Sequence, residues 1–274
     1  MTIPLQAQVF NPATGPFGTG QVQFFYASGT WTVPIGIGKV RVRLWGGGGG
    51  SNGAAGALIG GSGGGFALKA IYDLSGVTSI AVTVGAGGVG STSTSVSTSA
   101  GTSSFGSYVS ATGGATGFNI TAASGGTGVG GDINNTGGAG VSGVATVCSG
   151  AGAASVFGNG SAGVINGNNG LNAPGGAGSG SANTTAATST AGNGLTGIGA
   201  NGTTTPPTTG QPALWSIDFF GCGGGGNYTF PPINGGGGSV QNAQWNAGGA
   251  IPGGGAGTAS SAWNGAQGLV IVEW

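Results

Sequence analysis

The chain contains no histidine, and charged residues make up 3% of its 274 positions. An ordinary domain carries about 25% charged residues. Without histidine, the side chain most often used as general base and metal ligand is missing. Four Lys+Arg balance four Asp+Glu, so the net charge is zero. A nucleic-acid binder needs a cationic surface to displace counterions from phosphates, and none can be built here. Lys39, Arg41 and Arg43 fall in one short segment, too few for an electrostatic footprint. The acids Asp73, Asp132, Asp218 and Glu273 are scattered. A glycosidase needs two carboxylates flanking one bond. Solvated or turn-capping roles are the expectation for these four, and an Asp132–Asp218 cluster would be needed to revive a polysaccharide depolymerase. The sequence therefore predicts no catalytic residue, no metal ligand and no cofactor.

Cysteine is nearly absent as well. Cys148 and Cys222 lie far apart, and buried thiols are expected rather than a disulfide. No run is long and apolar enough to cross a bilayer, so no membrane insertion is expected. The start, MTIPLQAQVFNPATGPFG, has neither a basic nor an apolar leader region. The expectation is synthesis in a cytosol and a soluble product.

What the chain does have is glycine, at 71 positions, with 38% hydrophobic residues. Glycine-rich chains poor in aliphatic residues stay disordered, because they bury too little apolar surface to offset backbone entropy. Here Val, Ile, Leu, Phe and Trp come in short patterned runs, which argues for a folded protein. Residues 39–44 alternate polar and apolar, placing Val40, Val42 and Leu44 inward and Lys39, Arg41 and Arg43 outward on a strand. Residues 65–72, 79–84 and 268–274 also read as strands, and 102–112 as a weaker pair. No helical period occurs, and each glycine inside a helix would cost about 1 kcal/mol. Trp31, Trp45 and Trp274 fall in these strands and are expected in the core.

Glycine runs separate the strands, at residues 46–50, 60–65, 85–90, 113–117, 125–131, 137–140, 223–226, 235–238 and 248–257. No Gly-X-Y register persists, so the chain is not collagen. Extended left-handed helices of the polyproline II type suit these runs, with about three residues per turn and no internal hydrogen bonds. Glycine lets such backbones approach until N–H and C=O groups pair between neighbours, which satisfies buried backbone. The fold class read from the sequence is thus all-β plus irregular. An N-terminal antiparallel β region is closed by the C-terminal strand, beside a glycine-rich domain of packed polyglycine II-like helices with long loops.

Ser28-Gly29-Thr30-Trp31-Thr32-Val33-Pro34, followed by Lys39-Val40-Arg41-Val42-Arg43-Leu44-Trp45 and a glycine run, resembles the opening motif of glycine-rich bacteriophage tail-fibre proteins. Val82-Thr83-Val84-Gly85-Ala86-Gly87-Gly88, Gly101-Thr102-Ser103-Ser104-Phe105-Gly106 and Ala111-Thr112-Gly113-Gly114 look like its next elements. Gly268-Leu269-Val270-Ile271-Val272-Glu273-Trp274 is similar to its closing strand. The resemblance implies a non-enzymatic virion adhesin of the tail fibre or tail tip, made in the host cytoplasm. In such a protein a glycine scaffold carries far-end loops to a receptor, a surface glycan, pilus or outer-membrane protein. It also implies a homotrimeric fibre end. A structural baseplate or fibre connector is the alternative.

On this reading residues 1–20, with Pro4, Pro12 and Pro16, form an arm that docks onto other tail or baseplate proteins. Residues 21–112 form the β-rich part closed by 268–274, and residues 113–267 form the glycine-rich part with the receptor-facing tip. The aromatic clusters outside regular strands are the candidate receptor contacts: Trp215, Phe219, Phe220, Tyr228 and Phe230, with Trp245 as a further member and Trp263 as a similar candidate. Aromatic anchors bury much area at small entropic cost.

Overall fold

A computed structural model of the chain describes residues 20–54, 57–91, 98–116, 123–143, 148–165, 171–176, 252–257 and 263–274, with short strand pairs between 188 and 212. The strands begin with β1 (Val22–Phe25), β2 (Gly29–Thr32), β3 (Val40–Trp45), β4 (Asn52–Ala54), β5 (Ala57–Ile59) and β6 (Phe66–Ile71). They continue with β7 (Ser79–Thr83), β8 (Ser103–Phe105), β9 (Val109–Ala111), β10 (Gly128–Val129), β11 (Ile133–Asn135) and β12 (Ser142–Gly143). The last are β13 (Thr188–Ser189), β14 (Asn193–Gly194), β15 (Gly197–Ile198), β16 (Gly202–Thr203), β17 (Gln211–Pro212) and β18 (Leu269–Glu273). The fold is all-β, its sheets antiparallel, with no helix among the described residues.

Two five-stranded sheets face each other, ordered β1-β18-β3-β6-β11 and β10-β9-β8-β7-β2. The closing strand does not cap an edge: β18 lies inside its sheet, pairing Val22 with Glu273 on one side and Leu269 with Trp45 on the other. Period-two alternation builds the core between the sheets. Val40, Val42 and Leu44 are fully buried there with Val270, Val272, Ile80 and Val82. Trp31 meets Phe105 in a tilted contact at 5.7 Å and Trp274 edge-to-face at 5.5 Å between ring centroids. Fully burying such side chains contributes about 1.5–3 kcal/mol each.

The outer face of the first sheet departs from the sequence expectation. Arg43 points away from the core yet is only 2% exposed. It lies in register between Ile271 and Leu68, in a second apolar layer that includes Trp45, Phe66 and Leu269. Burying a charge is costly unless it is paired. Glu273 supplies the pairing, with Arg43 Nη2 at 3.2 Å from its Oε2 and Arg41 gripping both carboxylate oxygens at 2.7–3.1 Å. Glu273 is therefore a buried counter-ion, not a solvated acid. The indole of Trp45 donates to Ala154 O at 2.9 Å, tying the segment 153–156 over this layer.

The sandwich has two unlike ends. At one, tight turns join the strands: residues 34–37, 74–77 and 105–108 each close with a hydrogen bond of 3.0–3.1 Å. Gln21 and Trp274 exchange reciprocal backbone bonds at this end, so the described chain begins here. At the other end, strands run on into glycine segments. Residues 46–51 continue β3 and residues 60–65 lead into β6, while 84–91 follow β7 and 263–268 lead into β18.

These segments hydrogen-bond to one another in a regular way. Gly46 and Gly49 both donate into the segment 60–65, to Gly65 and Ser62. Gly48 and Ser51 both donate into 263–268, to Ala266 and Trp263, while Gly47 donates to Gly101. Every third residue thus returns to the same neighbour. The segment 60–65 repeats the pattern: Gly61 and Gly64 donate to Ala256 and Gly253, Gly60 and Gly63 to Val141 and Gly138. Residues 46–51 are ringed by segments 60–65, 85–91, 98–101, 112–115, 252–257 and 263–268. Contact is so close that a Cβ on Gly48 would sit 2.0 Å from Gly254 O, and one on Gly61 2.0 Å from Gly49 O. Only glycine fits there.

Candidate recognition surface

The glycine segments run alternately away from the sandwich and back, which puts Ser51, Ser91, Thr98, Thr116, Val141 and Trp263 at the far end. Register fixes this placement. Ser51 N–H donates to Trp263 O at 2.9 Å and Ser91 N–H to Ser51 O at 3.0 Å, whereas Gly46, Gly64 and Gly253 lie at sandwich level.

Trp263 is part-exposed and firmly held. Its N–H donates to Ser51 Oγ at 2.8 Å while its carbonyl accepts from Ser51 N–H. The exposed Asn264 accepts from Gly90 N–H through Oδ1 at 2.9 Å, so its amide nitrogen still presents donor hydrogens. Val89, 52% exposed, adjoins them. A Cβ on Gly90 would lie 2.5 Å from the Trp263 backbone, so glycine at 90 lets the two segments close and sets the position of the tryptophan. The far end thus joins an aromatic, an amide and hydroxyls on a rigid base, with no charged residue among the described residues of the glycine segments.

Trp215, Phe219, Phe220, Tyr228, Phe230 and Trp245 lie outside the described residues, as do Cys222 and Asp218. The described residues that flank their span are Pro212, at the end of β17, and Pro252. Pro252 adjoins Gly253, which accepts from Gly64 N–H at the base of the glycine segments. Trp263 is the aromatic candidate that the structure places at the far end. Its identity was visible in the sequence. Its position was not, because only the pairing of residues 51 and 263 reveals it.

Several other ionisable groups among the described residues do structural work. Asp73 accepts from both the hydroxyl and the N–H of Ser75, at 2.6 and 2.8 Å, and these bonds hold its carboxyl below the usual carboxylate range. Asp132 accepts from Ala70 N–H at 2.7 Å, and Lys69 donates to Gly130 O at 2.8 Å, so both fix the β10–β11 turn onto β6. Burial pushes the Tyr26 hydroxyl up. Cys148 is buried, its Sγ donating to Leu58 O at 3.2 Å. Among the described residues no cluster of His, Cys, Asp or Glu has the makings of a metal site.

A family described as a glycine-rich domain matches residues 25–274, almost the whole chain. No curated protein matches it.

Proposed function

The chain belongs to the glycine-rich domain family, and on that footing we propose that it is a receptor-binding protein of a bacteriophage tail fibre or tail tip, attaching the virion to the bacterial surface. The observation that carries this reading is the polarity of the molecule. The described residues begin at the turn end, beside the Gln21–Trp274 pair, while Trp263, its backbone held by Ser51, stands at the opposite end. An arm at residues 1–20 then docks onto the particle, and the far end meets the host. The resemblance of residues 28–45 and 268–274 to segments of tail-fibre proteins supports the same reading.

The scaffold in this proposal is a bundle of polyglycine II-type helices. What supports it is the return of hydrogen bonds to one neighbour at every third residue, together with backbone approaches that exclude any Cβ. Such helices have about three residues per turn and no bonds within themselves, so each is stable only when packed. A stiff bundle suits an adhesin because contact groups held in place lose little entropy on binding. The receptor classes in view are a surface glycan, a pilus or an outer-membrane protein.

Adsorption tests the reading. Purified protein should bind host cells and compete with particles for them. Trp263→Ala should weaken attachment roughly tens-fold, the effect of removing a hot-spot aromatic at about 2 kcal/mol, with little change in melting temperature. Trp215→Ala and Tyr228→Ala apply the same test to the other aromatic candidates. Protein that neither binds cells nor competes, yet is required for intact particles, would point to the structural connector instead.

A further inference from the structure

The turn end carries a feature that neither the core nor the far end explains. Ile35 is fully exposed at the tip of the turn 34–37. That turn is rigid: Ile37 N–H donates to Pro34 O at 3.1 Å, Gly36 takes φ +83°, and the proline ring fixes its own φ. Beside it a groove of about 510 Å³ opens between residues 32–38 and 74–78. Its apolar lining is Val33, Ile37, Leu74 and Val77, all packed against the sandwich core. Tyr72, 74% exposed, stands nearby at the end of β6. One charge of each sign lies on the same rim. Lys39 and Asp73 sit at the adjoining ends of β3 and β6, where Leu74 N–H donates to Gly38 O at 3.0 Å. Single exposed apolar residues are ordinary. A stiff aliphatic knob, an apolar groove and a pair of opposite charges on one face are not.

We infer that the turn end is a self-complementary surface through which two copies of this chain pair about a two-fold axis. A two-fold contact joins one patch to itself, so a patch needs both halves of every interaction. Here Ile35 of each copy enters the groove of the other, and Lys39 faces Asp73 of the partner subunit. The two Ser75 bonds hold the Asp73 carboxylate in place on the rim. The inference does not rest on the adhesin reading; it concerns the opposite end of the molecule.

Geometry limits its strength. Five strands about 4.8 Å apart and two sheets about 10 Å apart give an end face of roughly 400–500 Å². Stable interfaces bury about 800 Å² per partner. The pairing is therefore weak, with dissociation in the micromolar range, and it fills only where copies are concentrated.

The test is molar mass by light scattering and sedimentation on the full chain, from roughly 1 to 300 µM, a range that brackets micromolar dissociation. The mass should climb from 25.3 kDa toward twice that value. Ile35→Asp should hold it at the monomer value with unchanged melting. Lys39→Asp should weaken pairing about tenfold, and adding Asp73→Lys should restore it. A constant mass for the natural chain overturns the inference, as does association that survives Ile35→Asp. A double charge swap that stays monomeric while melting normally overturns the two-fold geometry. Constant mass with Ile35-dependent binding of a different protein would give the surface to that partner, and self-pairing would be wrong.

Discussion

The two ends of the sandwich solve the same problem, reversing the chain, by opposite means. At the turn end, four-residue turns do it, closed by local hydrogen bonds, and the charged Lys39 and Asp73 lie there at the ends of β3 and β6. At the glycine end, each strand continues into a segment whose neighbours touch its backbone, and the described residues carry no charge. The turn end is held by local hydrogen bonds plus the core behind it. The glycine end is held by bonds between segments distant in sequence, with almost no side chain to bury. The comparison teaches that glycine has two unrelated uses in one chain. Gly36 supplies a left-handed φ in open space, whereas Gly48 supplies the absence of a Cβ.

Substitution should separate those uses sharply. Gly48→Val drives two carbon branches into Gly254 O. Ordinary overpacking costs about 1–3 kcal/mol, but a clash with backbone that cannot move should exceed it and leave insoluble protein. A soluble Gly48→Val variant with normal melting would refute the packed scaffold.

Glu273→Ala is next. It strips Arg43 of its counter-ion in a buried layer, which costs about 3–5 kcal/mol, and denaturant titration should register a loss of that size. A change under about 1 kcal/mol, typical of a surface salt bridge, would show that Arg43 reaches water.

At the turn end, effects should shrink. Gly36→Ala forces a Cβ into a left-handed conformation and should cost about 1–2 kcal/mol. Gly38→Ala meets no atom within 4 Å at an ordinary φ, and should be neutral or stabilising by about 0.4–1 kcal/mol. If Gly38→Ala proved as damaging as Gly48→Val, the contrast between the ends would fail.

The smallest effect concerns pH. Asp73 has a depressed folded pKa, so its contribution is present above the unfolded carboxylate value and fades as pH falls through the folded one. An NMR titration should place its carboxyl below the ordinary range, and Ser75→Ala should move it back up.

How much of this was legible depended on the kind of information each feature needed. The alternation over residues 39–44 fixed which side chains face the core, and Val40, Val42 and Leu44 are buried as it implied. The same alternation could not show that Arg43, on the other face, is covered too, since that depends on Trp45, Phe66 and Leu269 meeting in space. The terminal run announced a strand, but period-two patterning names no partner, so the interior position of β18 was hidden. The short strands β10 and β11 carry too few residues to show any period. For the candidate site, the sequence pointed first to Trp215, Phe219, Phe220, Tyr228, Phe230 and Trp245, which lie outside the described residues; Trp263 was a similar candidate, and its far-end placement comes from a bond to a residue 212 positions earlier.

The interior position of β18 also has a kinetic side. Arg41 and Glu273, joined in the finished sheet, are separated by 232 positions along the chain. At about 5–20 residues per second of synthesis, roughly 10–50 s pass between the emergence of β3 and that of its neighbour. Throughout that interval β3 can pair with β6, but β1 and the other edge of β3 lack their native partner, and two hydrophobic strand edges wait for an occupant. Non-local pairing of this kind folds slowly and exposes the nascent chain to aggregation. Completion of this sheet is therefore deferred until β18 has been made.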